Sequence, residues 1–180
     1  MMRPKAFFDV APEERREKLM RVASRALREM HGIFRETPGQ YALALPDHPR
    51  VGRGRLRIFA EKSGDLERLA YRLRELPVRF SDIANVPQDY SGPYRRYSRY
   101  RIQSRKQERD YKGTLRLRRM REAEAEQMPW FNMRSGSTGQ EFRLYVSVAD
   151  DAEGSLADSC EPDSYGLSVA TRPFALPLLD

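Results

Sequence analysis

Apolar positions along the chain change period from segment to segment, and the changes mark the elements. Lys5 to Val10 (KAFFDV) is a short apolar run that predicts a strand. Pro12 follows at a predicted helix start, with Glu13 and Glu14 in a first turn where the helix dipole favours acids. Leu19, Val22, Ala23, Ala26, Leu27, Met30, Ile33 and Phe34 then recur at helical spacing and form one buried stripe. Glu36 to Gln40 (ETPGQ) is a turn. Tyr41, Leu43 and Leu45 alternate with alanines and predict a strand, and Asp47 to Gly54 is a loop. Leu56, Ile58 and Ala60 alternate with Arg55, Arg57 and Phe59 in another strand. Ser63 or Asp65 is placed to cap a second helix, with Leu66, Leu69, Ala70, Leu73 and Leu76 on one face. Phe80 to Val86 predicts a fourth strand.

Strand, helix, strand, strand, helix, strand is the order of a ferredoxin-like unit, so the fold class expected is α+β. That architecture hosts unrelated functions and assigns none. The pattern breaks near Tyr90, which divides the chain into a ferredoxin-like domain over 1–88 and a second region over 89–180. Tyr90 to Tyr100 (YSGPYRRYSRY) is a Pro/Gly break followed by alternating basic and aromatic residues. Arg101 to Gln103 (RIQ) reads as extended. Residues 104–127 read as an arginine-rich helix, weakened at Gly113 and Thr114 and ended by Pro129. After a turn at Ser135 to Gly139, Phe142, Leu144, Val146 and Val148 alternate as a strand.

Composition narrows the class. Of the 180 residues, 39% are apolar and 33% charged, enough for a core and too apolar for wholesale disorder. No run of about 18 apolar residues exists, so no membrane span is expected. MMRPKAFFDV has no long apolar stretch of a secretory leader. Cys160 is the single cysteine, which excludes an intramolecular disulfide and a zinc site built on several thiolates. These features point to the cytoplasm. The net charge of +7 is unevenly spread. Tyr94 to Arg121 holds twelve Lys/Arg against two acids, whereas Asp150 to Asp180 holds seven acids and one Arg. Such segregation predicts a stripe that binds a polyanion.

Arg105, Arg109, Lys112, Arg116 and Arg119 are spaced by four, three, four and three, which puts five cations on one helical face. The row spans roughly 20 Å, enough to follow several phosphates of a strand. Tyr90, Tyr94, Tyr97 and Tyr100 are candidates for stacking on unpaired bases, with half-buried packing as the equal alternative. His31 and His48 are the two histidines, and an acid–base enzyme would need one of them. His48 lies in a proline-bounded turn, PDHPR. His31 sits near the end of the first helix, at the margin of its apolar face. No G-x-S-x-G, H-E-x-x-H, Walker loop or G-x-G-x-x-G is present, and the acids form no pair suited to two-metal chemistry. The stretch Met133 to Tyr145 sets small hydroxyls beside arginines, a combination suited to ribose or phosphate.

Four segments resemble one family. RSGSTGQEFRLY (Arg134 to Tyr145) followed by SYGLS (Ser164 to Ser168) is similar to the C-terminal half of the subtype I-F CRISPR RNA-processing endoribonucleases, the Csy family. RIQ before an arginine-rich helix, and a first helix ending MHGIF, resemble the same family. The resemblance implies a ribonuclease that needs no metal and no cofactor. It would cut repeat RNA at the base of a stem-loop, leaving a 2′,3′-cyclic phosphate and a 5′-OH. It would then remain on the crRNA hairpin as a subunit of a crRNA-guided complex, beside the other type I-F subunits and the backbone subunit above all. His31 would be the general base or acid, Ser135 would position the ribose, and Tyr165 would orient the histidine. Arg105, Arg109, Lys112, Arg116, Arg118 and Arg119 would line the hairpin groove. Arg101 and Gln103 would read the lowest base pairs, Ser137 and Thr138 would contact the backbone, and Phe142 would stack near the cut. One alternative stays open. Counted from Leu19–Met20, Arg28 takes the catalytic histidine's position; counted from Met30–His31, His31 does. With Arg28 there, the protein would bind the hairpin without cutting it.

Overall fold

The computed structural model describes residues 1–13, 19–49, 54–103, 114–136, 138–151 and 153–179. Its first half contains β1 (Ala6–Pro12), α1 (Leu19–Glu36), β2 (Tyr41–Ala44), β3 (Leu56–Ala60), α2 (Ser63–Leu73), β4 (Val78–Phe80) and β5 (Ala84–Asn85). The strands form one antiparallel sheet in the order β2-β3-β1-β4, with β5 also on β1. Every residue of β2 and β3 is buried. Both faces of these strands are covered, which is why small alanines alternate with Tyr41 and Leu43 in β2 and why the buried Arg57 of β3 must be paired, with Asp9. Helix α1 buries Val22, Ala23, Ala26, Leu27, Met30, Ile33 and Phe34, the stripe read from the sequence.

The second half contains β6 (Tyr94–Tyr100), α3 (Leu115–Ala125), β7 (Trp130–Arg134), β8 (Glu141–Asp151) and β9 (Leu176–Pro177). Its sheet has the order β7-β8-β6-β9 and is antiparallel. Helix α1 lies against β7 as well as β1, and the Asn132 N–H donates to Ser24 Oγ at 3.0 Å. One apolar cluster runs from α1 and the first sheet into Tyr97, Phe131, Met133, Leu144, Val146 and Leu167 of the second half. The protein is thus α+β, with antiparallel sheets and three helices among the described residues.

Several boundaries differ from the expectation. Pro12 does not start a helix; it is the last residue of β1, paired with Val78, and the Glu13 N–H donates to Pro77 O at 3.0 Å. A proline has no N–H to give a ladder, and a strand end tolerates that. Glu14 lies outside the described residues. Neither Ser63 nor Asp65 caps α2. Lys62 occupies the N-cap without a side-chain hydrogen bond, and the buried Asp65 pairs with Arg68 instead. The strand expected over 80–86 is two short strands on opposite ends of β1, with Ser81 between them. Ser81 replaces the missing ladder contacts, since its N–H donates to Asp9 O and its Oγ accepts the Asp9 N–H, each at 2.9 Å. Of the helix expected over 104–127, the described part is α3, from Leu115 to Ala125. Residues 104–113, with Arg105, Arg109 and Lys112, lie outside the described residues. Strands β7 and β9 were not expected at all. The first contains a tryptophan and an asparagine at exposed positions, and the second is two residues long.

Candidate active site and nucleic-acid interface

The residues from Asp163 to Ser168 form a tight turn that meets the end of α1. The Asp163 carboxylate accepts the N–H groups of Tyr165 at 2.8 Å and Leu167 at 3.0 Å through one oxygen, Oδ1. This is an Asx-type turn, the local structure that P-D-S-Y-G favours. Gly166 has φ +78°, and a Cβ there would stand 2.9 Å from Leu43 N. Its carbonyl accepts the Leu43 N–H at 2.8 Å, tying the turn to β2. On the other side the Ser168 N–H donates to Tyr97 O at 2.8 Å, tying it to β6.

His31, half-buried on α1, touches this turn twice. Its Nδ1 lies 2.7 Å from Ser164 O. Its ring lies on that of Tyr165 with centroids 4.0 Å apart and planes 6° from parallel. A carbonyl oxygen can only accept, so Nδ1 carries the hydrogen. In the neutral ring Nε2 is then the lone-pair nitrogen, a proton acceptor. Arg28 sits one turn earlier on α1 and is half-buried.

Cations gather around the same tyrosine. The Arg99 guanidinium lies 5.0 Å from the Tyr165 ring centre. Burial pushes the Tyr165 phenol above its ordinary pKa, and Arg99, Arg35 and Arg101 pull it back. The Asp163 carboxyl is likewise raised, by burial first, against the pull of its two backbone N–H donors, Arg99 and His31. Asp163 and Arg99 belong to the site, yet the sequence reading assigned neither a role. The Asx-turn spelling of residues 163–166 was the signal for Asp163. For Arg99 there was none beyond its charge.

The basic stripe is thinner than its count suggests. Arg95 and Arg96 are paired across the β6–β8 ladder with Asp150 and Asp151, at 2.8 and 2.5 Å. The tyrosines are packing residues. Tyr94 and Tyr97 are buried, and the Tyr90 hydroxyl donates to Pro93 O and Leu178 O. Tyr100 docks α3, donating its hydroxyl to the Glu122 carboxylate, and burial with that carboxylate pushes its pKa up to about 12. Arg119 donates to Arg101 O at 2.6 Å and lies 5.6 Å from the Tyr100 ring centre. Arg118 pairs with Glu122 at 3.6 Å. Beneath these contacts, Ala123, Met128 and Tyr145 form a small apolar cluster with Tyr100 and Ile102. Ala123 is the one buried residue of α3, so the helix is held at few points. Arg101 is exposed. Gln103 is half-buried, and its Oε1 is buried without a partner among the described residues.

Ser135 and Thr138 lie in the hairpin between β7 and β8. The Ser135 N–H donates to Gln140 O and the Gly139 N–H to Ser135 O, both at 2.8 Å, with Gly139 at φ +67°. The Thr138 N–H reaches Ser135 Oγ at 3.3 Å. Ser137 lies outside the described residues. Phe142 is partly buried and packs against the main core.

The other titratable candidates are structural. His48 is held below its ordinary pKa by burial and then by Arg95. Cys160 is buried and its thiol is pushed up to about 12, which keeps it un-ionised. No three of the described His, Cys, Asp and Glu residues cluster as metal ligands would. No helix among the described residues is long and apolar enough to cross a membrane.

The fold, with a histidine held by a turn carbonyl and stacked on a tyrosine that an arginine approaches, defines a class: an α+β protein with antiparallel sheets and a histidine–tyrosine–arginine cluster. The family model described as CRISPR-associated protein (Cas_Csy4) matches residues 9–177, nearly the whole chain. The chain belongs to that family of CRISPR-associated, repeat-processing endoribonucleases. No curated protein matches it.

Proposed function

We propose that this chain is a metal-independent endoribonuclease of a type I-F system. It recognises the stem-loop of CRISPR repeat RNA and cuts at the stem base. It then remains on the crRNA 3′ hairpin, as a subunit that meets the backbone subunit of the guided complex. In this reading residues 1–88 are a ferredoxin-like domain, for which the βαββαβ order and the strand order β2-β3-β1-β4 speak. Residues 89–180 carry the RNA-binding surface.

The observation that carries the proposal is the hydrogen bond from His31 Nδ1–H to Ser164 O, which leaves Nε2 as the base. It joins His31, and not Arg28, to the turn that bears Tyr165. In the reaction the ribose 2′-oxygen attacks the adjacent phosphorus and His31 Nε2 takes its proton. The P–O5′ bond breaks, and the leaving 5′-oxygen takes a proton from solvent water. The products are a 2′,3′-cyclic phosphate and a 5′-OH. Ser135 holds the ribose so that the attacking oxygen stands in line with the leaving one. Arg116, Arg118 and Arg119, with Arg105, Arg109 and Lys112, follow the hairpin phosphates. Arg101 and Gln103 read the lowest pairs by their bidentate geometry, Ser137 and Thr138 touch the backbone, and Phe142 stacks near the cut.

The test is cleavage of the cognate repeat hairpin. His31→Ala should bind it as the wild type does and cut it about 10²- to 10⁴-fold more slowly. A 2′-deoxy nucleotide at the cut should abolish cleavage, and chelator should change nothing. Wild-type cutting rates from His31→Ala would overturn the assignment. A wild-type protein that binds its hairpin and leaves it whole would establish instead a non-catalytic hairpin-binding subunit.

A further inference from the structure

We propose that Asp163 is a positioning residue for His31, its carboxylate gathering two backbone N–H groups into the turn that sets the tautomer and tilt of the imidazole. The inference rests on the proposed ribonuclease activity and adds to it a residue that never touches the RNA.

The argument is geometric. His31 is held by two contacts, the Ser164 carbonyl and the Tyr165 ring, and both come from consecutive residues of one turn. Peptide and ring can face the same imidazole only if the chain reverses tightly after them. The turn is closed by its own backbone, from Gly166 N–H to Asp163 O and from Asp163 N–H to Leu167 O, each at 2.9 Å. What fills its inside is the Asp163 side chain, whose single oxygen Oδ1 accepts the N–H groups of Tyr165 and Leu167. One of those N–H groups belongs to the residue that stacks on His31. Removing the acceptor frees the peptide that carries both contacts.

The outer anchors do not replace it. The Gly166 carbonyl is fixed to Leu43 and the Ser168 N–H to Tyr97, so the turn's far end stays in place. The Ser164–Tyr165 peptide lies between Asp163 and those anchors and would rotate. Once Ser164 O turned away, nothing in this contact pair would distinguish the Nδ1–H tautomer from the Nε2–H tautomer. In the second the basic nitrogen faces the protein. The carboxylate is itself partly buried and loaded with donors, and Arg99 and His31 both lie close enough to pull its titration down. A turn that served only to reverse the chain would not need its acceptor beside the catalytic ring.

The test uses the full-length chain with ¹⁵N-labelled histidine. His31 is assigned by comparison with His48→Gln, since His31 and His48 are the two histidines. In the wild type the neutral His31 ring should show one tautomer, protonated at Nδ1. In Asp163→Ala it should show a mixture. Single-turnover cutting of the repeat hairpin should fall by about 10²-fold, as misplacing a reacting group does, with the hairpin Kd unchanged. Asp163→Asn, which keeps an oxygen acceptor, should restore both tautomer and rate. An Asp163→Ala protein with the wild-type tautomer and rate would overturn the inference. Should Asp163→Ala fail to fold, Asp163→Asn decides: loss of the tautomer or the rate there would overturn it, and retention of both would support it. The tautomer is read without RNA. If the wild type did not cut its hairpin, the proposed activity would fall while this inference would still be decided.

Discussion

The imidazole of His31 and the phenol ring of Tyr165 lie 4.0 Å apart and 6° from parallel, although 134 positions separate them in the chain. The hydrogen bond from His31 Nδ1–H to Ser164 O fixes the ring's rotation, and the stack fixes its plane. Together they hold the imidazole in one orientation, and for the proposed proton transfer that orientation is preorganisation.

The stack, and not the hydroxyl, is what Tyr165 gives His31. Aromatic pairs contribute about 0.5–1.5 kcal/mol beyond their burial. Tyr165→Phe keeps the ring and should keep the cutting rate within a few-fold of wild type. Tyr165→Ala removes the plate against which the imidazole lies and should slow cutting by up to ~10²-fold while leaving hairpin affinity alone. Single-turnover rates of the two variants check this, and a Phe variant as slow as the Ala variant would assign the role to the hydroxyl.

Cations on α3 and its docking contacts should separate in salt dependence. Arg116 has no acidic partner among the described residues, whereas Arg118 shares Glu122 with Tyr100. Each phosphate contact removed should reduce the slope of log affinity against log salt by about 0.7 to 0.9. Arg116→Ala should therefore weaken binding and flatten the slope. Tyr100→Phe loosens the helix from β6 and should weaken binding with the slope unchanged. Titrations of both variants over a salt series would show whether α3 lies on the phosphates, since identical slopes for wild type and Arg116→Ala would remove it from them.

The first half of the fold was legible because its periods are clean: the α1 stripe, and the period-two alternation of Tyr41 and Leu43 in β2 and of Leu56 and Ile58 in β3. What failed there failed locally. Pro12 fits a helix start as well as a strand end, and only the pairing with Val78 decides. The site was legible in part. His31 and Tyr165 stand out as residue types in a family pattern. Asp163 is one acid in an acidic tail, and its part depends on where the turn meets α1. Charge counting misled more than periodicity did. Arg95 and Arg96 look the same as Arg116 in the sequence, but the ladder puts Arg95 directly opposite Asp150 and brings Arg96 diagonally onto Asp151. For the tyrosines the sequence left stacking and packing open, and the structure shows packing, with Tyr94 and Tyr97 buried.

A charged group inside the core gives a stability prediction. The Arg57 side chain is 4% exposed and donates to both oxygens of Asp9, at 2.7 and 3.0 Å, while its Nη1 reaches Leu179 O at 2.6 Å. Asp9 also receives Arg55 at 3.2 Å. Removing one partner leaves a buried charge uncompensated, which costs about 3–5 kcal/mol. Asp9→Ala should lower the urea midpoint accordingly, and Arg57→Met with Asp9→Leu should recover most of the loss. A double variant less stable than Asp9→Ala would show that the pair contributes more than its own neutralisation.

His48 makes folding sensitive to acid. Burial, and then the Arg95 charge, lower its pKa below the ordinary 6.5, so the native state holds the neutral ring while the unfolded chain takes up a proton at the ordinary value. The sign follows from linkage: this contribution is fully present above pH 6.5 and is lost as pH falls from there towards the lower native value. The buried Nδ1 of His48 has no partner among the described residues, so a proton arriving there finds no acceptor to stabilise it. Asp163, whose carboxyl burial raises, works in the opposite direction, but a comparison at fixed Asp163 cancels it. His48→Gln should therefore lose less thermal stability than the wild type between about pH 7.5 and about pH 5. Thermal melts of the two proteins at both values check this; parallel decreases would place the acid-sensitive group elsewhere.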